Sequence, residues 1–88
     1  MHCVWGGSFL LRYRAVAEER RHRKIIGDAI RKYRKHAGIT QEQLAEKADL
    51  HPVYVGEVER GEQAISIHAL LRIAKALGVR LRDLVADV

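Results

Sequence analysis

Apolar residues recur at helical spacing along most of this chain. Ile26, Ile30, Tyr33 and Ala37 follow one another at intervals of four, three and four residues, which predicts an amphipathic helix. Gly38 comes directly after this stripe and is predicted to end the helix.

The first 24 residues carry a weaker form of the same pattern. Phe9, Tyr13 and Val16 lie roughly on one face, which predicts a separate helix over residues 8–24 with Ser8 as its cap. Residues 1–7 have no clear periodicity and include two glycines, so they are predicted to form a flexible arm.

A short helix, a tight turn and a second short helix are predicted in the middle of the chain. Thr40 and Gln43 have the spacing of a capping box, so the first of these helices begins there and runs to about Ala48. Pro52 suits the first position of the second helix, and Gly61 suits the position just past its end.

Two further helices complete the pattern. Ser66 is predicted to cap a helix over residues 67–77, which ends at Gly78. The last helix is predicted from the apolar repeat of Leu81, Leu84, Val85 and Val88. No stretch has a strand pattern, so the chain is predicted to be all-α. It is predicted to have an N-terminal extension over residues 1–24 and a domain of five helices over residues 25–88.

Length and composition narrow the class of protein. A chain of 88 residues with 48% hydrophobic residues is enough for one small domain with one modest core. It has no apolar run near the roughly 20 residues that span a bilayer, and no basic segment precedes its apolar start, which argues against a secretory signal. The single cysteine, Cys3, fits a reducing compartment, so the predicted location is the cytoplasm.

The charge is unevenly distributed along the chain. Residues 1–36 hold ten Lys/Arg and three acids, a balance of +7, whereas residues 37–88 hold six and eight, a balance of −2. The sum is the net charge of +5, which fits a polyanionic partner such as nucleic acid. The same charge also fits a helix whose basic face is simply solvated.

The predicted helix, turn and helix over residues 40–61 have the arrangement that places a second helix in the major groove of DNA. Together with its flanking elements, this ordered set resembles the Cro/phage-repressor, or XRE-like, helix-turn-helix family over about residues 26–88. The matching residues are Gly38-Ile39-Thr40-Gln41, Leu44-Ala45, Leu50, Tyr54-Val55, Val58-Glu59-Arg60-Gly61 and Leu70 to Val79. The run Tyr54 to Gly61 is also similar to that of restriction–modification controller proteins and other compact one-domain regulators.

The resemblance implies a five-helix, lambda-repressor-like fold, a homodimer on a palindromic operator in double-stranded DNA, and neither catalysis nor a cofactor. It further implies a structural ion pair between Arg34 and Glu59, which would tie the first core helix to the third. Truncating one partner of a buried pair of this kind is costly.

Carried over by position, the resemblance also implies a set of DNA contacts. They are Thr40, Gln41, His51, Pro52, Val53, Tyr54, Glu57, Arg60 and Gln63. Gln41 opens the second helix, where the family contacts phosphate, and Arg60 and Gln63 are placed to hold phosphates. Val53 suits a thymine methyl group, and Glu57 can accept a hydrogen bond from a cytosine amine.

The sequence departs from the family at several of these positions. Asp49 stands where the family often has Gly, and since Asp tolerates a left-handed conformation the turn is predicted to survive. His51 stands where Ser or Thr is common, and it is a poorer cap. Pro52 has no group that could hydrogen-bond a base edge.

Other functional classes are less well supported. The five histidines have no ligand spacing and no cysteine partners, so no metal site is predicted, and no nucleophile and base are paired as in an enzyme. The acidic and apolar second helix and the long extension leave an alternative, namely a protein-interaction module on the same fold, such as an antitoxin or adaptor. The extension could lie against the core, contact a second subunit or follow DNA phosphates.

A dimer surface has one candidate. The apolar stripe of the last helix is either the edge of the core or a surface shared between subunits, and it consists of Leu81, Leu84, Val85 and Val88. So small a domain has little core in which to bury it, which favours a shared role.

Overall fold

The computed structural model describes residues 3–88, with side chains from Leu10 onward, and its described part is helical with no strand. The five helices are α1 Cys3–His36, α2 Gln41–Ala48, α3 Pro52–Glu59, α4 Ile67–Leu77 and α5 Leu81–Leu84. The predicted all-α class is therefore confirmed. Helix α1 packs on α3 and α5, while α2 packs on both α3 and α4.

Helix α1 is one continuous helix of 34 residues where two were predicted. The predicted break near Lys24 is wrong because no proline interrupts this stretch, and a glycine inside a helix costs only about 1 kcal/mol. Residues 3–7 of the predicted flexible arm are helical, so Ser8 is not a cap, while residues 1–2 of that arm lie outside the described residues.

The two halves of α1 differ in their environment. Residues 10–21 are exposed along their whole length, and contact with the rest of the chain begins at His22 and Arg23. The molecule is elongated as a result, with extents of 53 × 23 × 18 Å. The predicted boundary between residues 24 and 25 lies within α1, where no change of secondary structure occurs.

Helices α1 and α3 approach closely at Gly27. A Cβ atom at this position would lie 2.7 Å from the backbone oxygen of Glu59, closer than real Cβ contacts allow. Glycine is therefore what lets the backbones of these helices pack directly against each other, and this contact fixes α3 against the buried half of α1.

Local hydrogen bonds set the start and end of α2. Thr40 Oγ1 accepts from the Gln43 amide at 3.1 Å, and Gln43 Oε1 accepts from the Thr40 amide at 2.8 Å, so the predicted capping box is confirmed. Asp49 ends α2 in the left-handed conformation, at φ 56°, as the sequence predicts. The Leu50 amide then donates to the Ala45 carbonyl at 2.8 Å, which closes the turn.

The core lies beneath α3 and α4. Its largest fully buried side chains come from every helix: Ile30, Leu44, Val55, Val58, Ile73 and Leu84. An eight-residue helix such as α3 is too short to be stable alone, so the burial of Val55 and Val58 is what keeps it folded.

The last helix is shorter than predicted and differs in role. Helix α5 ends at Leu84, and the Val88 amide donates to the Val85 carbonyl in a turn instead of continuing the helix. Leu84 has no exposed surface, so its predicted place in a dimer interface is wrong: its side chain fills the core. Leu81 and Val85 are half-buried, and Val88 is exposed.

Candidate nucleic-acid interface

Helices α2 and α3 enclose an open groove on the outer side of the molecule. The start of α2 forms one wall and the outer face of α3 forms the other, with Thr40, Gln41, Glu42, Pro52, Val53, Gly56 and Arg60 among the lining residues. Four of the predicted contacts lie at the starts of α2 and α3 and thus surround this one groove: Thr40, Gln41, Pro52 and Val53. This groove holds the first amides of α2, which have no partner inside the helix and can donate to an anion.

A buried carboxylate holds the three helices around this groove. Glu59 is 3% exposed and accepts from Arg34 Nε at 2.7 Å and from Arg34 Nη2 at 3.1 Å. Gln41 Nε2 donates a third hydrogen bond to Glu59 Oε1 at 3.0 Å, and Arg34 Nη1 also donates to the Ile39 carbonyl at 3.0 Å. The network joins α1, the start of α2 and the end of α3, so it fixes the orientation of α3.

The side chain of Gln41 is therefore occupied within the protein. Its amide nitrogen, which the family resemblance offers to a phosphate, is bonded to Glu59, and the residue is only partly exposed. What remains available at this position is the backbone amide at the start of α2.

The outward face of α3 begins at an unusual cap. His51 Nδ1 accepts from the Val53 amide at 3.2 Å, so the imidazole does what Ser or Thr would do at this position. The Val53 side chain is 60% exposed, and Glu57 lies one turn further along, half-buried. These two side chains form an apolar and acidic face.

Arg60 lies at the C-terminal end of this face and is paired. Its Nε donates to Glu62 Oε2 at 3.0 Å, and both side chains are more than half exposed. The hydrogen bond with Glu62 raises the pKa of Arg60, and the same bond lowers the pKa of Glu62. Glu62 thus holds part of the guanidinium group that the family resemblance assigns to phosphate.

Tyr54 and Gln63 lie away from the groove. The Tyr54 hydroxyl donates to the Ala64 carbonyl at 3.3 Å and accepts from the Ser66 amide at 3.4 Å, so it holds the loop between α3 and α4. Gln63 is exposed beside Glu19 and His22 of α1. Five of the nine predicted contacts thus line the groove, namely Thr40, Gln41, Pro52, Val53 and Arg60.

Two basic residues outside the predicted set of DNA contacts lie next to the same network. Lys24 and Arg31 line a second, smaller groove together with Gln41, Glu59 and Arg60. They are seven residues apart on α1, so they share one face of that helix. This spacing was the available signal, but the predicted break near Lys24 placed the two residues on different helices.

Comparison with known proteins agrees with this arrangement. The family model described as helix-turn-helix matches residues 30–84. The chain belongs to this helix-turn-helix family. The matched segment begins at Ile30, so the exposed half of α1 and Lys24 lie outside it.

Individual relatives of this helix-turn-helix protein include two control proteins and a restriction–modification controller protein of known structure. It is 39% identical over 62 residues to control protein C.SmaI of Serratia marcescens, a match that covers 70% of this chain and 74% of that protein. It is 38% identical over 63 residues to control protein C.BamHI of Bacillus amyloliquefaciens, covering 70% and 78%. The crystal structure of the restriction–modification controller protein C.AhdI from Aeromonas hydrophila superposes with a TM-score of 0.69 at 37% identity, covering 70% of this chain and 94% of that one.

Two other features bear on functional class. Across residues 3–88, no helix is both long and apolar enough to cross a membrane. Among the side chains described, those of residues 10–88, no three His, Asp or Glu come together as a metal site would require.

Proposed function

We propose that this chain is a sequence-specific DNA-binding transcriptional regulator that acts as a homodimer and has no catalytic activity. The observation that carries the proposal is the position of α3. Its inner face is held by the Glu59 network and by two buried valines, while its outer face carries Val53, which is 60% exposed, and the half-buried Glu57. An exposed helix face held this firmly is ready to enter a major groove without refolding.

The base contacts we propose come from the first half of α3. Val53 would pack on a thymine methyl group, and Glu57 would accept from a cytosine amine. Pro52 would contact the DNA without donating a hydrogen bond, because it has no backbone N–H. His51 is engaged as the cap of α3, which leaves the outer edge of its ring for the DNA backbone.

The phosphate contacts we propose come from the edges of the groove. The first amides of α2, next to Thr40 and Gln41, face one strand, and Arg60 faces the other. Of the remaining predicted contacts, Gln63 is exposed and free to reach a phosphate, whereas the Tyr54 ring would contribute only through its outer edge.

For the dimer, we propose that the exposed apolar residues at the C-terminal end form the subunit contact. Val88 is 54% exposed, and Leu81 and Val85 are half-buried beside it. In such a dimer the two copies of α3 would meet half-sites about one helical turn apart. The control proteins and the chain share this compact helix-turn-helix domain, and the alternative of an antitoxin or adaptor gains no support from these relatives.

Selection of bound fragments from a random DNA library tests the proposal. The wild-type chain is expected to enrich a palindromic sequence, and Glu57→Gln is expected to alter base preference at one symmetric pair of positions. Arg60→Gln is expected to weaken binding to all sequences about equally, since a phosphate contact carries no sequence information.

Lys47→Gln provides a matched control, because Lys47 is exposed in a different groove beside Asp49 and Arg72. It should bind as the wild type does. Failure to enrich any sequence, or binding that does not respond to salt, would count against a DNA-binding regulator.

A further inference from the structure

The positive charge of this protein is concentrated in the projecting half of α1. Residues 10–24 contain six Lys/Arg and two Glu, a balance of +4 out of the total of +5. Residues 25–88 contain ten Lys/Arg and nine acids, a balance of only +1. The domain that holds α2 and α3 is thus close to neutral, although phosphate neutralisation supplies much of the affinity of a DNA-binding protein.

Most of these basic side chains do not hold the fold together; the exception is Arg23, whose Nε donates to the Gly61 carbonyl at 3.4 Å. Arg12, Arg14, Arg20 and Arg21 are exposed, and within the described side chains none of them lies within salt-bridge distance of a carboxylate. Lys24 pairs only with Asp28, one turn away, at 3.0 Å on the exposed surface, which is worth little. The positive charge of these exposed side chains is therefore available to a partner.

One face of this helix, which carries two of the six charges, continues the DNA-facing side of the domain. Arg20, Lys24 and Arg31 are spaced by four and seven residues, so they lie on one face of α1. Lys24 and Arg31 of this stripe line the groove that also contains Gln41 and Arg60. The two acids of the segment, Glu18 and Glu19, fall on other faces, and Glu19 lines a separate hollow with Gln63.

We propose that residues 10–24 of α1 bind the phosphate backbone of DNA beyond the half-site that α3 contacts. This inference rests on the proposed function and adds to it a second DNA contact outside the segment that matches the helix-turn-helix family. Fifteen helical residues extend about 22 Å, which is the length of roughly six base pairs.

The positive charge of residues 10–24 favours DNA over a second copy of the chain as the partner that binds this part of α1. Leu10, Tyr13 and Val16 are exposed at three-residue intervals and form an apolar strip of only about two turns, which ends at Arg20, while Leu11 lies on another face. Two such helices side by side would bring +4 against +4, which is unfavourable without a continuous apolar seam to offset it. A polyanion such as DNA would not be repelled by this positive charge.

The test uses the full chain with four charges removed, R12Q/R14Q/R20Q/R21Q, because glutamine keeps a high helix propensity. The matched control is K47Q/R72Q/K75Q/R82Q, which removes the same charge from exposed positions on α2, α4 and α5. Dissociation constants for the selected operator with long flanks would be measured by fluorescence anisotropy across a range of salt concentrations. Circular dichroism would verify that each variant remains helical.

The extension variant is expected to reduce the slope of log K against log salt by about 0.9 for each phosphate that it no longer neutralises, that is by up to about 3.6 for each subunit and up to about 7 for the dimer. The control variant is expected to keep the wild-type slope to within about 1. Trimming the operator flanks by about six base pairs on each side should lower the wild-type slope toward that of the extension variant, but should leave the extension variant unchanged.

The outcomes separate this inference from the proposed function. If the wild type binds no DNA, the proposed function fails. If the wild type binds but the extension variant keeps its slope, or if the slope falls equally in both variants, only the inference is overturned. An unchanged slope with a shifted monomer–dimer equilibrium in sedimentation would also overturn it and would assign the extension to a second copy.

Discussion

Arg34 and Glu59 join the first and third helices through two parallel hydrogen bonds, of 2.7 and 3.1 Å, with the Glu59 side chain 1% exposed and that of Arg34 12% exposed. A carboxylate buried to this degree depends on its partners, because an unpaired charge in the interior is strongly unfavourable. Gln41 supplies a further hydrogen bond to it. The orientation of α3 therefore depends on a polar network as well as on apolar packing.

Replacing Arg34 with methionine is expected to lower the free energy of unfolding by about 3 kcal/mol, because Glu59 would be left buried without its main partner. Urea denaturation measures this value. Adding Glu59→Leu to Arg34→Met should recover part of the loss, since the second change removes the stranded charge. Arg31→Met, at an exposed position on the same helix, is the control, and a loss as small as that of the control would show that the pair is dispensable.

Gly27→Ala is expected to destabilise the protein by about 2 kcal/mol even though alanine is the better helix former, because the new methyl group would meet the backbone of α3. Thermal or urea unfolding measures the effect. Gly56→Ala is the matched control within a helix. Its nearest neighbours would be side-chain atoms of Arg60 and Gln41 at 3.2 and 3.3 Å, which need to shift by only a few tenths of an ångström, so Gly56→Ala should cost less stability than Gly27→Ala. Equal effects at the two positions would contradict the close approach of α1 and α3.

His51→Ala is expected to cost about 1 kcal/mol of stability, because the Val53 amide would lose its acceptor at the start of α3. His51→Ser should restore or exceed the wild-type stability, since serine is a strong N-cap. His68→Ala, at an exposed position on α4, should change the free energy of unfolding by less than about 0.5 kcal/mol. An alanine variant as stable as the wild type would show that the imidazole does not cap the helix.

Glu62→Gln is expected to strengthen DNA binding at low salt, because it releases the Arg60 guanidinium group and removes a negative charge beside it. The slope of log K against log salt should steepen by about 0.9 for each subunit, or about 1.8 for the dimer, if each Arg60 gains one phosphate. Fluorescence anisotropy with the selected operator measures both quantities. Glu46→Gln removes the same charge at an exposed position on α2 and should change DNA binding less. In a protein that already carries Arg60→Gln, adding Glu62→Gln should no longer strengthen binding.

Much of the fold was predictable because its signals are local. The capping box of Thr40 and Gln43, the left-handed Asp49 and the terminal Gly78 act through neighbours in sequence, and each appears in the structure as predicted. The burial of Leu84 was not predictable in this way. Its exposure depends on how α5 packs against α1 and α4, so the apolar spacing alone could not decide between core and surface.

The candidate site was less predictable than the fold, because hydrogen bonds across helices decide which side chains are available. The bond from Gln41 to Glu59 and the bond from Arg60 to Glu62 both engage groups that the family resemblance assigns to phosphate. His51 is the opposite case, since a residue with a poor capping preference does cap its helix. The capping propensity of histidine is an average over many environments. At this position the Val53 amide lies within hydrogen-bond distance of the His51 imidazole.

The unbroken backbone of α1 has a geometric consequence for the basic residues it carries. With no hinge between the packed and the projecting half, the direction of each arginine is set by its count of residues from Ile30. Inserting one residue near position 22 would turn every side chain before it by about 100° and advance it by about 1.5 Å. The composition and net charge of the segment would stay the same, but its arginines would face elsewhere. A continuous helix thus fixes the direction of each arginine relative to the domain. A flexible arm of the same sequence would not.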